Sequence, residues 1–167
     1  IDYETFKAIS RDIVQARKVC AFAVGASTIA TKAVQLSLLR LGVFVDASTD
    51  NHLQSIAAAN LDGRDFLILF SVSGSTKDIV NLAEIAKKNG TKILVVTNYN
   101  KSPLAKYADY LLLSVRKEAA QNGGALSTSV AQEYIADVLC SAVFEVLENE
   151  GAVNRFKSSA AVADKAY

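Results

Sequence analysis

Five consecutive apolar residues, Phe66, Leu67, Ile68, Leu69 and Phe70, stand in the middle of the chain with no polar residue among them. A strand that is apolar at every position has both of its faces covered, as inside a parallel sheet. The run then breaks into Ser71, Val72, Ser73, Gly74, Ser75 and Thr76. Beyond it, Ile79, Leu82, Ala83 and Ala86 recur at helical spacing. A strand, a small hydroxyl-rich turn and a helix start together suit an anion. A helix N-terminus exposes unpaired N–H groups and a partial positive charge. A glycine lets the backbone come close, and hydroxyls add donors. Ser75 followed three residues later by Asp78 also reads as a capping box, which would make this an ordinary capped turn. One hydroxyl would satisfy that reading. Ser71, Ser73, Ser75 and Thr76 together exceed what a cap needs, so the turn is expected to take a phosphate-type ligand.

The flanking sequence repeats the alternation. Phe6, Ile9, Ile13 and Val14 predict a helix over 3–18. A buried strand over 19–24 leads into Gly25, Ala26, Ser27 and Thr28, then a helix to residue 41. That helix is apolar nearly all round (Ile29, Ala33, Val34, Leu36, Leu38, Leu39), which predicts deep burial. Gly42 stops it, and 43–45 is a short strand. Thr49 or Asp50 can cap a helix carrying His52, Leu53, Ile56 and Ala57. After the central strand and its helix come a strand over 92–96, a short helix opened by Pro103 and a strand over 110–113. The polar stretch 116–127, with Gly123 and Gly124, reads as a mobile loop. A long helix over 129–148 follows, Gly151 breaks it, and a shorter helix closes the chain. This is an α/β pattern: a three-layer α/β/α sandwich around a five-stranded parallel sheet. Two βα loops, 25–28 and 71–76, share the same small-hydroxyl chemistry. In the order 2-1-3-4-5 they follow neighbouring strands and open into one crevice at the switch point.

Composition excludes several classes of function. The chain has 167 residues, enough for one domain with a sizeable core. Its net charge is +1 with no run of Lys or Arg, so it does not grip nucleic acid by itself. No apolar run is long enough to span a bilayer, and no signal peptide is visible. Cys20 and Cys140 are far apart, which fits free thiols in a reducing cytoplasm. One histidine and two distant cysteines do not build a zinc site. There is no Walker loop, no full dinucleotide fingerprint and no Gly-x-Ser-x-Gly elbow. No metal or other cofactor is expected. His52 reads either as an exposed helix-start residue or as a ligand contact. Glu133 could point into the site, but reads first as a solvated face residue. On the long helix, Val130, Tyr134, Val138 and Ala142 form one stripe, with Ile135, Leu139 and Val143 beside it. One stripe can cover the sheet and leave the other for a second copy, so a homodimer through the C-terminal helices is expected. Ile1 falls inside a helical pattern, and a further N-terminal domain is expected outside this chain.

From Cys20 to about Phe144 the chain resembles the SIS domain, the phosphosugar-binding fold of sugar isomerases and of RpiR-type regulators. The resemblance rests on Gly25-Ala26-Ser27, on the 71–76 turn, on Thr97-Asn98 and on Ser102-Pro103-Leu104-Ala105. It implies that Ser27, Ser71, Ser73 and Thr76 hold a sugar phosphate, with Ser75 offering its backbone N–H. Ala26, His52 and Glu133 would lie at the sugar end. The segment 50–54, with its histidine, is similar to the regulators' version. Regulators of sialic acid catabolism look most similar, and their effector would be N-acetylmannosamine 6-phosphate. Two places depart from the family pattern. Val72 stands where many members are polar, and Ser127-Thr128-Ser129 replaces a segment that often ends in arginine. The implied function is an effector-sensing module without catalysis, whose DNA-binding helix-turn-helix domain precedes this chain. The rival is an aldose–ketose sugar-phosphate isomerase. It would need a base and an oxygen partner, for which the sequence offers only His52 and Glu133.

Overall fold

The computed structural model describes residues 2–114, 125–151 and 161–163. Strands β1 (Val19–Phe22), β2 (Val45–Asp46), β3 (Phe66–Phe70), β4 (Lys92–Thr97) and β5 (Tyr110–Leu113) form one parallel sheet. Its order is β2-β1-β3-β4-β5, the order that the two similar loops predict. β3 lies at the centre, with Phe66 beside Val19 on one side and Lys92 on the other.

Among the described residues, five α-helices cover the sheet: α1 (Tyr3–Gln15), α2 (Thr28–Arg40), α3 (Asn51–Ala59), α4 (Lys77–Lys88) and α5 (Ala125–Asn149). Side chains alternate along each strand, so two cores form. Phe66, Ile68 and Phe70 face α1, α2 and α5, packing with Ile9, Val34 and Leu139. Leu67 and Leu69 face the other way, onto Ile79, Leu82 and Ala86 of α4 and Ala58 of α3. This is why β3 shows no polar alternation: all five of its residues are buried. Each such large side chain stabilises the fold by about 1.5–3 kcal/mol.

Several expectations shift in detail. The first helix stops at Gln15 because Ala16 is extended, with ψ 139°, and turns the chain into β1. α2 is not deeply buried. It buries Ala30, Thr31, Val34 and Leu38, while Ile29 and Leu36 are 52% and 62% exposed. Three helices share that face of the sheet, so one stripe of α2 is enough to cover its portion. The two stripes of α5 separate only in part: Ile135, Leu139 and Val143 are buried and Val130 and Tyr134 are exposed, but Val138 and Ala142, expected on the outer stripe, are half-buried and pack against the core. Most of the stretch read as a mobile loop lies outside the described residues, as does most of the terminal segment. Among the described residues, no helix is long and apolar enough to cross a membrane. Both cysteines are free and buried.

The N-terminal end of the sheet is fastened by charge. Arg17 holds Asp65 through two bonds, Nε to Oδ1 at 2.9 Å and a terminal nitrogen to Oδ2 at 2.7 Å. That pairing holds the Asp65 carboxyl below the usual carboxylate range. The opposite end, where β1 and β3 release their loops, is built differently.

Candidate functional site

The loop after β3 begins by folding back on itself. Gly74 adopts φ +61°, a left-handed conformation that favours glycine. It also has no room for a side chain. A Cβ there would lie 2.2 Å from Ser102 Oγ and 2.9 Å from Thr97 Oγ1. The loop is braced from behind by the end of β4 and the segment that follows it. The Ser71 N–H donates to the Val96 carbonyl at 3.0 Å, and the Asn98 N–H donates to the Val72 carbonyl at 3.1 Å. The Thr97 hydroxyl reaches the same Val72 carbonyl at 3.2 Å. The Leu104 N–H donates to the Gly74 carbonyl at 2.9 Å. Ser102, Asn98 and Leu104 are all buried. Asn98 is itself held by the Ser114 hydroxyl at the end of β5.

With its carbonyls tied backwards, the loop keeps its hydroxyls in order. Ser71 Oγ accepts the Gly74 N–H at 3.1 Å and lies 3.4 Å from Thr76 Oγ1. Ser73 Oγ accepts the Ser75 N–H at 3.2 Å, and the Ser75 hydroxyl donates to the Ser73 carbonyl. A hydroxyl has one proton and two lone pairs. In accepting from inside the loop, Ser73 keeps its proton to donate elsewhere, while the proton between Ser71 and Thr76 can come from either hydroxyl. The N-cap of α4 is Thr76, not Ser75, and its side chain makes no capping bond. The expected capping box does not form: Asp78 instead accepts from Asn51 Nδ2 at 2.9 Å. Ser75 has its N–H engaged with Ser73. The helix ladder starts with Val80 donating to Thr76, so the open N–H groups are those of Lys77, Asp78 and Ile79.

The loop after β1 matches it. Gly25 also has φ +61° and opens a single 3-10 turn, Gly25–Ser27, that runs directly into α2. Ser27 is the N-cap of α2 and makes no side-chain capping bond. It is 7% exposed. Ala26 lies beside it and is exposed. The other two α-helix starts with a described cap are closed by aspartate. Asp2 accepts from the Glu4 N–H, and Asp50 accepts from the Leu53 N–H at 2.9 Å. Uncapped starts thus occur at the two loops that meet at the switch point. Two helix N-termini and several hydroxyls lie at the ends of these neighbouring strands, an arrangement that can hold an anion.

The other expected residues are arranged less tightly. His52 is in the first turn of α3 and solvent-exposed. The Asn51–Asp78 bond brings that turn against the first turn of α4, at the loop end of the sheet. Glu133 is half-buried on α5. α5 packs against the Gly25–Ser27 turn, so Glu133's helix reaches the first loop. Among the described residues, neither His52 nor Glu133 contacts the hydroxyl loops by a hydrogen bond. No group of histidine, cysteine and carboxylate suited to a metal occurs among the described residues. Sequence reasoning missed Gln54, whose Nε2 bridges the Ala23 and Ser48 carbonyls at 3.0 and 2.8 Å. It fastens the end of β1, just before the first loop. Its place in the helix that carries His52 was the readable signal.

A family model for the SIS domain matches residues 12–142. The chain is 30% identical over 162 residues to the HTH-type transcriptional regulator RpiR of Escherichia coli K12, covering 97% of this chain and 55% of that one. It is 29% identical over 158 residues to an uncharacterized HTH-type transcriptional regulator of Haemophilus influenzae, covering 95% and 55%. The chain therefore spans about half the length of the curated relatives it matches. Among solved structures, the Vibrio vulnificus NanR protein complexed with ManNAc-6P matches with a TM-score of 0.87 at 28% identity, over 99% of this chain and 62% of that one. The match to the family model encloses all five strands, both hydroxyl loops and the brace behind the second: this chain belongs to the SIS domain family.

Proposed function

We propose that the chain is the effector-sensing module of a bacterial transcription regulator, and that its effector is a sugar 6-phosphate. The observation that carries this is the pair of uncapped helix starts at the switch point, each preceded by a left-handed glycine and lined by hydroxyls. Ser71, Ser73 and Thr76 donate to the phosphate, Ser27 closes the site from the first loop, and the first turn of α4 supplies N–H groups, with Ser75 beside it. Ala26, His52 and Glu133 belong to the sugar end. The regulators among the relatives and the ManNAc-6P bound to NanR support an amino-sugar phosphate, N-acetylmannosamine 6-phosphate or another hexosamine 6-phosphate. The DNA-contacting domain is placed N-terminal to this chain, in a cytoplasmic homodimer joined through the C-terminal helices. Exposed Val130 and Tyr134 on α5 suit that interface.

The module binds its ligand without turning it over. An isomerase needs a base and an oxygen partner on two adjacent sugar carbons. His52 stands exposed and Glu133 half-buried on different helices, with no hydrogen bond linking them.

Calorimetry over a panel of hexose and hexosamine 6-phosphates tests the reading. Ser71→Ala and Ser73→Ala should each weaken binding roughly ten- to a hundredfold, the value of about 1.5–3 kcal/mol for a charge-assisted bond. Unchanged affinity in both variants would remove the phosphate from this loop. Incubating the chain with the same compounds and following their NMR spectra tests catalysis, and multiple turnovers would favour the isomerase.

A further inference from the structure

Asp78 puts a carboxylate in the first turn of α4, at the helix start left open for an anion. A carboxylate there is drawn to the same N–H groups and partial positive charge as a phosphate. It could take them itself, within its own turn or through Ser75 in a capping box. It does neither. The Ser75 N–H donates to Ser73 Oγ at 3.2 Å, and the Ser75 hydroxyl donates to the Ser73 carbonyl at 3.3 Å. The Asp78 carboxylate accepts instead from Asn51 Nδ2 at 2.9 Å, and among the described residues it has no other hydrogen-bond donor.

Asn51 works from a fixed base. It is the first residue of α3, directly after the Asp50 cap. The Ser55 hydroxyl donates to the Asn51 carbonyl at 2.9 Å, and the Gln54 N–H donates to the Asp50 carbonyl at 3.0 Å. In the same turn, the buried Gln54 amide is tied to the carbonyls of Ala23 and Ser48. The start of α3 is therefore anchored to the end of β1, and α3 packs beside α4. The Asn51 amide is neutral, so it directs the carboxylate without cancelling its charge.

We infer that Asn51 is a positioning residue for the anion site: it holds the Asp78 carboxylate towards α3 and so leaves the open N–H groups of α4 to the phosphate. The inference rests on the sugar-phosphate reading above. Asp78 is then a built-in competitor, an anion that tempers affinity for any phosphate by like-charge repulsion. Held by Asn51, it is kept from the helix N–H groups; released, it competes for them. The effect acts at the phosphate end, so it falls equally on a sugar phosphate and on inorganic phosphate.

Both side chains are exposed, so substituting them leaves the core intact. By calorimetry, Asn51→Ala should weaken binding of inorganic phosphate and of N-acetylmannosamine 6-phosphate by the same factor, about three- to tenfold, as fits a solvent-exposed bond. Asp78→Asn should strengthen binding of both by removing the like charge. With Asp78→Asn in place, adding Asn51→Ala should change either affinity by less than about twofold. That background separates positioning from other roles: an amide that touched the ligand, or only steadied the fold, would still be missed there. A full loss in the Asp78→Asn background overturns the inference. So does an Asn51→Ala variant that binds like the wild type, a loss confined to the sugar phosphate, or weaker binding after Asp78→Asn. Each of these leaves the sensing reading standing, because the wild-type chain still binds the sugar phosphate. A wild-type chain that binds no sugar phosphate overturns both.

Discussion

Gly25 and Gly74 share one backbone torsion, φ +61°, and each opens a hydroxyl loop that feeds an uncapped helix. Their surroundings differ. A methyl group on Gly74 would collide with Ser102 and Thr97, whereas one on Gly25 would meet nothing within 4 Å. The 71–76 loop is fastened through Ser71 to β4, and through Val72 and Gly74 to the chain that follows it. The first loop is held mainly by its own turn, with the Thr28 hydroxyl donating to the Gly25 carbonyl at 2.7 Å. Similar chemistry at the crevice therefore hides two kinds of support. One loop is built into the core behind it at its glycine, and the other has open space beside its glycine.

The widest separation between the loops should come from the glycines. Gly74→Ala combines left-handed strain with overpacking, about 3 kcal/mol or more in total. Gly25→Ala carries the strain alone, about 1–2 kcal/mol. Thermal unfolding should then show a drop of about 6–12 °C for the first and about half that or less for the second. Equal drops would mean that the brace contributes nothing.

A smaller effect should divide the serines. Ser71 holds the loop as well as facing the crevice, so Ser71→Ala should lower both the melting temperature and the affinity for a sugar 6-phosphate. Ser27 makes no side-chain capping bond, so Ser27→Ala should lower affinity about tenfold and leave melting unchanged. A stability loss at Ser27 to match that at Ser71 would collapse the distinction.

The smallest expected effect concerns the thiols. Burial is the main cause that pushes both Cys20 and Cys140 up to about 12. The unfolded thiol ionises near pH 8.5, so the stability that each neutral thiol contributes is full below about 8.5 and is lost as the pH climbs towards 12. At pH 8, iodoacetamide should therefore reach them only through unfolding. Gly25→Ala should raise the labelling rate about five- to thirtyfold, and Gly74→Ala by more than about a hundredfold. Equal rates in the two variants would contradict the difference between the loops.

The sheet was readable because β3 is apolar at every position and because two loops share a composition that only neighbouring strands would explain. The hydroxyls of the candidate site were readable for the same reason. Ser102 and Thr97 carry the resemblance to the family, but their task as a brace depends on a contact across more than twenty residues of chain, which no local pattern encodes. α2 was misjudged because hydrophobicity alone does not reveal how many helices share a layer. The Ser75–Asp78 box was misjudged because Asn51, distant in sequence, captures the carboxylate.

The brace behind Gly74 has a consequence for signalling. A ligand moves an equilibrium between two conformations only by the difference in its affinity for them. Contacts that are identical in both conformations set how tightly the ligand is held and say nothing about which conformation wins. A loop fastened to β4 and its following segment is suited to that silent part. On the sensing function proposed above, the arrival of a ligand would then be signalled by groups other than those of this loop.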